Sequence, residues 1–245
     1  MLSTTTKTHE DFFARRLNEF RTKCNQLSND ITLNPLDFKL YLDRHNVLSE
    51  LEEHDLAAQD LTTLLEIDPE KRHYYYYMRH LQYLFMKKYT DALTDIKCAV
   101  ETAPPNFNYY KNLAAVYQLL GLTDDAIAAL STSIDLNPDK AYYYKDRADF
   151  YVSIGQFQLA IEDATRAIEL TPQYPQYPMR DRAEIYCLMK EFDLALKDCN
   201  ACLERNPNSS YFYQTRSDVY AAMGNTQAAR FDYERSCDLN PGINR

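Results

Sequence analysis

Apolar and small residues recur along most of this chain with the three-and-four spacing of amphipathic helices, broken at regular intervals by polar turns and prolines. Residues 141–174 show it plainly: Tyr144, Ala148, Tyr151 and Val152 share one helical face, and Ala160, Ile161, Ala164, Ala167 and Ile168 share another. Ile154 and Gly155 stand between them, so this stretch predicts two helices joined by a tight turn.

The same pair recurs with a fixed period. Pro35, Pro69, Pro104, Pro138, Pro172, Pro207 and Pro241 are separated by 34, 35, 34, 34, 35 and 34 residues. Placing the proline at position 32 of a 34-residue unit gives six units, 38–71, 73–106, 107–140, 141–174, 176–209 and 210–243, with Arg72 and Pro175 as single insertions. Position 20 is then alanine throughout (Ala57, Ala92, Ala126, Ala160, Ala195, Ala229), small enough for two helix backbones to approach closely. Positions 4 and 11 are mostly tyrosine and account for ten of the 21 tyrosines, which assigns those ten to the core. Gly121, Gly155 and Gly224 all fall at position 15, where a chain leaving a helix turns through positive φ.

Six phased copies of this pattern resemble the tetratricopeptide repeat family over more than four-fifths of the chain. The resemblance implies an all-α fold, a right-handed superhelical solenoid of antiparallel helix pairs. It also implies a non-catalytic adaptor that holds a partner's peptide segment or helix in a concave groove lined by first helices, at positions 2, 5, 9, 12 and 13.

Because the units are copies, they serve as their own alignment. Position 7 is Arg44, Arg79, Leu113, Arg147, Arg182 and Arg216, while position 23 is Asp60, Asp95, Ala129, Asp163, Asp198 and Asp232. The unit that loses the arginine also loses the aspartate, so each arginine is expected to pair with the aspartate of its own unit as structural ion pairs. Position 8 is small in the last four units but is His45 and His80 in the first two, which predicts splayed helices or an imidazole serving as polar spacer. A metal site is not supported, because no further ligands are phased with these histidines.

Residues 1–37 read as a tail, a capping helix over about 8–28 and a connector. Thr8 and Asp11 fit a capping box, and Phe13, Leu17, Phe20, Cys24 and Leu27 form the stripe that would cover unit one. At the other end, position 21 is aliphatic in units two to five but Arg230 in unit six, a polar edge of the kind a terminal repeat needs. No extra solvating helix follows, so self-association through the ends, as a scaffold or homo-oligomer, is the alternative role.

The groove positions divide into two sets. Unit two presents Tyr74, Tyr77, Leu81, Leu84 and Phe85, an aromatic and aliphatic patch. Units four to six present Tyr142, Tyr177 and Tyr211 at position 2 with Asp149, Glu184 and Asp218 at position 9, which suits a basic or aromatic segment. Lys145 and Arg180 stand four residues before Asp149 and Glu184, so those two acids are alternatively neutralised within their own helices. The resemblance's carboxylate clamp for acidic chaperone tails is not matched. From unit three its positions read Lys111, Ala115, Asp146, Tyr177 and Asp181, and from unit four Lys145, Asp149, Asp181, Tyr211 and Thr215.

Composition narrows the field further. A net charge of −9 opposes nucleic acid and anionic lipid, and four glycines leave little for phosphate-cradling loops. The six cysteines read as reduced thiols, and the CxxC of Cys199 and Cys202 falls on a core face, at positions 24 and 27. No histidine, acid and nucleophile share a phase, so the expectation is no enzyme, no cofactor and no metal. The absence of a signal-length apolar run in the first residues leads to an expectation of a soluble, cytoplasmic protein.

Overall fold

A computed structural model describes residues 3–240, with side chains from residue 14 onward. The described backbone is helical: α1 (Ser3–Leu33), α2 (Phe38–Glu50), α3 (His54–Ile67), α4 (Arg72–Phe85), α5 (Tyr89–Thr102), α6 (Phe107–Leu119), α7 (Thr123–Leu136), α8 (Ala141–Ser153), α9 (Phe157–Leu170), α10 (Gln176–Leu188), α11 (Phe192–Arg205), α12 (Ser210–Ala222) and α13 (Thr226–Leu239). Helices α3, α5, α7, α9 and α11 each stop two residues before the phased proline. Proline lacks an N–H and its ring disfavours helical backbone in the residue before it, which sets that boundary.

Between the helices of every unit, position 15 has positive φ. Gly121, Gly155 and Gly224 have φ of 73°, 75° and 81°, and Glu52, Lys87 and Lys190 occupy the same region at 60°, 57° and 61°. The sequence marks only three of these six turns, because what builds them is a backbone bond. In each, the N–H of position 16 reaches the carbonyl of position 11, as in Glu53 to Leu48 at 2.9 Å and Gln156 to Tyr151 at 2.8 Å. This Schellman bond satisfies a helix-end carbonyl and holds even a lysine in the left-handed region.

The described residues divide into two compact units between Leu122 and Thr123. In the first, α1 to α6 pack each on the next; in the second, α7 to α13 do the same, and α10 also meets α12. The alanines of position 20 are buried in both. The largest fully buried side chains include Tyr75, Tyr143 and Phe212, all at position 3, a core position that the pattern of positions 4 and 11 overlooks. Most tyrosines at positions 4 and 11 are only half-buried, which corrects their assignment to the interior.

Those tyrosines wall the arginines instead. Arg79 lies 5.7 Å from the Tyr76 ring centroid and 5.8 Å from that of Tyr83, and Arg147 lies 5.9 Å and 5.7 Å from Tyr144 and Tyr151. Positions 4 and 11 flank position 7 by one helical turn on either side, so a phenol stands on both sides of these two guanidinia, whereas Leu48 replaces one beside Arg44 and Met179 one beside Arg182. Each guanidinium donates through Nε and Nη2 to both oxygens of the aspartate on the second helix: Arg44–Asp60, Arg79–Asp95, Arg147–Asp163, Arg182–Asp198 and Arg216–Asp232, the Nε bonds spanning 2.7–2.9 Å. In Arg44, Arg147, Arg182 and Arg216 that bond is the largest cause of a raised pKa, set against burial, which lowers it.

A third partner comes from the preceding helix pair. Nη1 donates to Ser28, Thr62, Ser131, Thr165 and Asn200 at 3.1, 2.8, 2.9, 2.9 and 2.8 Å, and all five stand at position 25 of the period. Unit two has Lys97 at that position, ahead of the unit whose position 7 is Leu113, and Lys97 lies 5.5 Å from the Tyr117 ring centroid instead.

His45 and His80 are both buried. His45 Nδ1 lies 3.2 Å from the carbonyl of Ala57 across the pair, the place where Ser217 donates to Ala229 at 2.8 Å, so this imidazole is a polar spacer. His80 Nδ1 bonds the Tyr77 carbonyl on its own helix, and its Nε2 is buried without a partner.

Helix α1 runs from Ser3 to Leu33, longer at both ends than the expected 8–28, so Thr8 is not at its start. Of the expected stripe, Leu17 is exposed while Leu27 is buried, joined by Ile31 against Tyr41, Leu61 and Leu64. The buried contacts of α1 with unit one therefore lie in its last turns, while Arg16, farther up, reaches Glu50 at 3.7 Å. The side chains of Thr8, Asp11 and Phe13, and residues 241–245 with Pro241, lie outside the described residues. No helix among the described residues is long and apolar enough to cross a membrane.

Asp163→Ala strands a half-buried guanidinium and is expected to cost about 3 kcal/mol in urea unfolding; Arg147→Leu with Asp163→Ala, the residue types of unit three, is expected to recover more than half of it. Burial pushes His80 down to about 4 and lowers His45 as well, against about 6.5 in an unfolded chain. The unfolded state then binds more protons in this window, so the histidine contribution is complete above pH of about 6.5 and is lost as pH falls toward 4. Unfolding free energy plotted against pH should be flatter there in His45→Ala/His80→Ala.

Candidate functional site

Helices α8, α10 and α12 carry the groove positions of units four to six, all within the second compact unit. Tyr142, Tyr177 and Tyr211 are 43%, 54% and 64% exposed, although Tyr142 and Tyr211 stand next to the buried Tyr143 and Phe212. Position 3 turns inward and position 2 turns outward, so Tyr142 and Tyr143, adjacent in sequence with rings 4.2 Å apart, serve opposite environments.

The carboxylates of position 9 have unequal partners. Lys145 Nζ reaches Asp149 at 2.7 Å, Arg180 Nε approaches Glu184 only to 3.5 Å, and Gln214 donates to Asp218 at 3.0 Å. Arg180 is drawn to its neighbour Asp181, which its Nη2 reaches at 2.6 Å. Glu184 is held above the ordinary carboxylate range, first by burial, with Arg180 opposing and Asp181, Asp149 and Asp218 adding to the rise. The row of acids is thus one electrostatic cluster along successive first helices.

Between α8 and α10 this row opens into a cavity of about 180 Å³, with Ala148, Val152, Ala164, Ala167, Pro178, Ile185 and Leu188 as its apolar lining and Lys145, Asp149, Arg180, Asp181 and Glu184 as its polar lining. Groove periodicity points to Lys145, Asp149, Val152, Arg180, Glu184 and Leu188, but not to Ala148, Ala164, Ala167, Pro178, Asp181 or Ile185. Where one helix pair meets the next, positions 24 and 27 face position 3 of the following unit, as Leu61 and Leu64 cluster with Tyr75, and Cys202 with Phe212. The corresponding residues between units four and five are Ala164, Ala167 and Pro178, all small. The signal was an aromatic position occupied once by proline, which the first turn of a helix tolerates because its N–H has no helical partner.

Unit two's candidates lie in the first compact unit and are arranged differently. Phe85 is 68% exposed and stacks on His54 at 4.7 Å, and Tyr74 is exposed, whereas Leu81 is half-buried. Tyr77, also half-buried, stacks on Tyr109 at 5.0 Å and is committed to packing.

Cys199 and Cys202 are buried, and burial pushes both thiols up to about 12; Cys202 donates to the Gln176 carbonyl at 3.1 Å. Among the described residues, no group of three or more His, Cys, Asp or Glu side chains is placed to hold a metal ion.

The family profile described as tetratricopeptide repeat matches residues 107–140, 141–174 and 210–243. Units three, four and six thus carry tetratricopeptide repeats. Solved structures share their fold. A tetratricopeptide repeat protein from Parabacteroides merdae aligns with a TM-score of 0.71 at 17% identity, over 82% of this chain and 79% of that one. MamA aligns at 0.61 and 21% identity, over 70% and 93%. YrrB, described as a TPR protein with an unusual peptide-binding site, aligns at 0.52 and 16% identity, over 89% and 93%. No curated protein sequence matches the chain.

Proposed function

We propose that this protein is a non-catalytic interaction adaptor that holds an extended segment of a protein partner along α8, α10 and α12. One observation carries the reading: three exposed tyrosines and three carboxylates stand in register on successive first helices, beside an open cavity. Tyrosine offers large contact area with little rotamer freedom to lose, and an acidic row selects a basic or aromatic segment over an acidic one. The unusual peptide-binding site of YrrB, a chain of the same fold, is in keeping with this role. The division into six units with a cap over 1–37 belongs to the same proposal. Tyr142→Ala/Tyr177→Ala/Tyr211→Ala should weaken capture of a partner from cell extract while leaving the thermal midpoint within a few degrees, since exposed side chains contribute little to folding. Undiminished capture would discard this face.

A second reading has Phe231 on its side. Position 22 is Gln59, Thr94, Ala128, Glu162 and Lys197 in the other units, but in α13 it is a phenylalanine 69% exposed, next to the polar Arg230. Contact between copies through this end predicts a sedimentation coefficient that rises with concentration and stops rising in Phe231→Lys.

A further inference from the structure

We infer that the cavity beside Pro178 is a side-chain pocket that takes a lysine or arginine of the bound segment, an inference that rests on the groove reading above. The first ground is shape. At the other joins the space between positions 24 and 27 and the following position 3 is filled by Leu61, Leu64 and Tyr75, by Ile96, Ala99 and Tyr109, by Leu130, Ser133 and Tyr143, and by Cys199, Cys202 and Phe212. Ala164, Ala167 and Pro178 leave it open, and the opening is lined by the groove acids Asp149 and Glu184. A packed protein interior does not keep such a void without cost, because its lining forgoes contacts that a filling side chain would restore.

The second ground is charge. Three carboxylates, Asp149, Asp181 and Glu184, line the cavity against two cations, Lys145 and Arg180. Asp149 and Asp181 have close partners at 2.7 and 2.6 Å, whereas Glu184 has a cation no nearer than 3.5 Å, and Asp218 on the next first helix is bonded by a neutral amide. The lining carries one more carboxylate than cations, and Glu184 is the carboxylate whose cation stands farthest off, with room for a second. The floor below it is aliphatic: Val152, Ile185 and Leu188. An occupant must therefore present a long apolar stem and a cationic head, the build of lysine and arginine. A purely apolar side chain would leave Glu184 desolvated without compensation, and an acidic one would be repelled.

The test uses the full chain and four pools of fluorescein-labelled nonapeptides, each with its central residue fixed as arginine, lysine, norleucine or glutamate and the rest randomised, read by fluorescence anisotropy. The arginine and lysine pools should bind about tenfold or more tightly than the norleucine pool, the worth of one charge-assisted hydrogen bond. Glu184→Gln should remove that preference, bringing the basic pools down to the affinity of the norleucine pool for the same variant. Pro178→Tyr, which supplies the aromatic of the other units, should weaken the basic pools while keeping the wild-type circular dichroism and thermal midpoint. If the basic pools bind no better than norleucine, or if Glu184→Gln leaves the preference intact, the pocket is overturned. Should the triple tyrosine variant still lower binding of every pool in that case, the groove stands without the pocket. If no pool binds wild type, the groove reading fails and the pocket fails with it.

Discussion

A guanidinium presents five N–H donors in one rigid plane, and in this fold it sits where little water reaches it. That requirement organises the joins that carry an arginine at position 7. The aspartate of the second helix accepts two of the bonds, a hydroxyl or amide of the preceding helix accepts a third, and one or two tyrosines cover its faces, two in the case of Arg147. Each partner comes from a different helical position, so the guanidinium is satisfied only when three helices hold their places together. A contact of this kind contributes less by its own strength than by penalising every arrangement in which one partner is missing.

The same logic explains where the array departs from itself. Leu113 and Ala129 drop the ion pair together, and Lys97 takes the place of the hydroxyl ahead of Leu113. A hydroxyl there would have no guanidinium to receive, whereas a lysine can bring its ammonium over the face of the Tyr117 ring. Between units four and five the knot is intact, with Arg182 bonded to Asp198 and Thr165. That join can therefore give up the aromatic of position 3 and still hold. A cavity next to a fixed ionic anchor is a defect the fold can carry, and it lies on the face offered to a partner.

The abundance of tyrosine divides accordingly into three chemistries. At position 3 the ring fills the core and its hydroxyl needs a polar neighbour, as Tyr75 finds in Asp68 at 2.6 Å. At positions 4 and 11, beside an arginine, the ring walls the guanidinium and is in most cases half-buried. At position 2, in units four to six, it projects from the first turn of a helix into solvent.

Much of this was legible in the sequence, because a repeated chain shows its constraints as period: the proline stops, the alanine at position 20, the arginine and aspartate that come and go together. What periodicity cannot show is which of two adjacent aromatics points inward. Tyr142 and Tyr143 have the same side chain, and only the rotation of α8 against its neighbours makes one a surface and the other a core residue. Nor could it show the left-handed turns at Glu52, Lys87 and Lys190, since there the backbone bond rather than the residue fixes φ. The cavity at Pro178 is the clearest case. Each of its small residues is unexceptional in its own helix, and a void arises only because α8, α9 and α10 bring Ala164, Ala167 and Pro178 to one point. Sequence determined the helices, their order and the charges that tie them; tertiary packing alone decided which space between them stayed empty, because emptiness belongs to several side chains at once and to none of them singly.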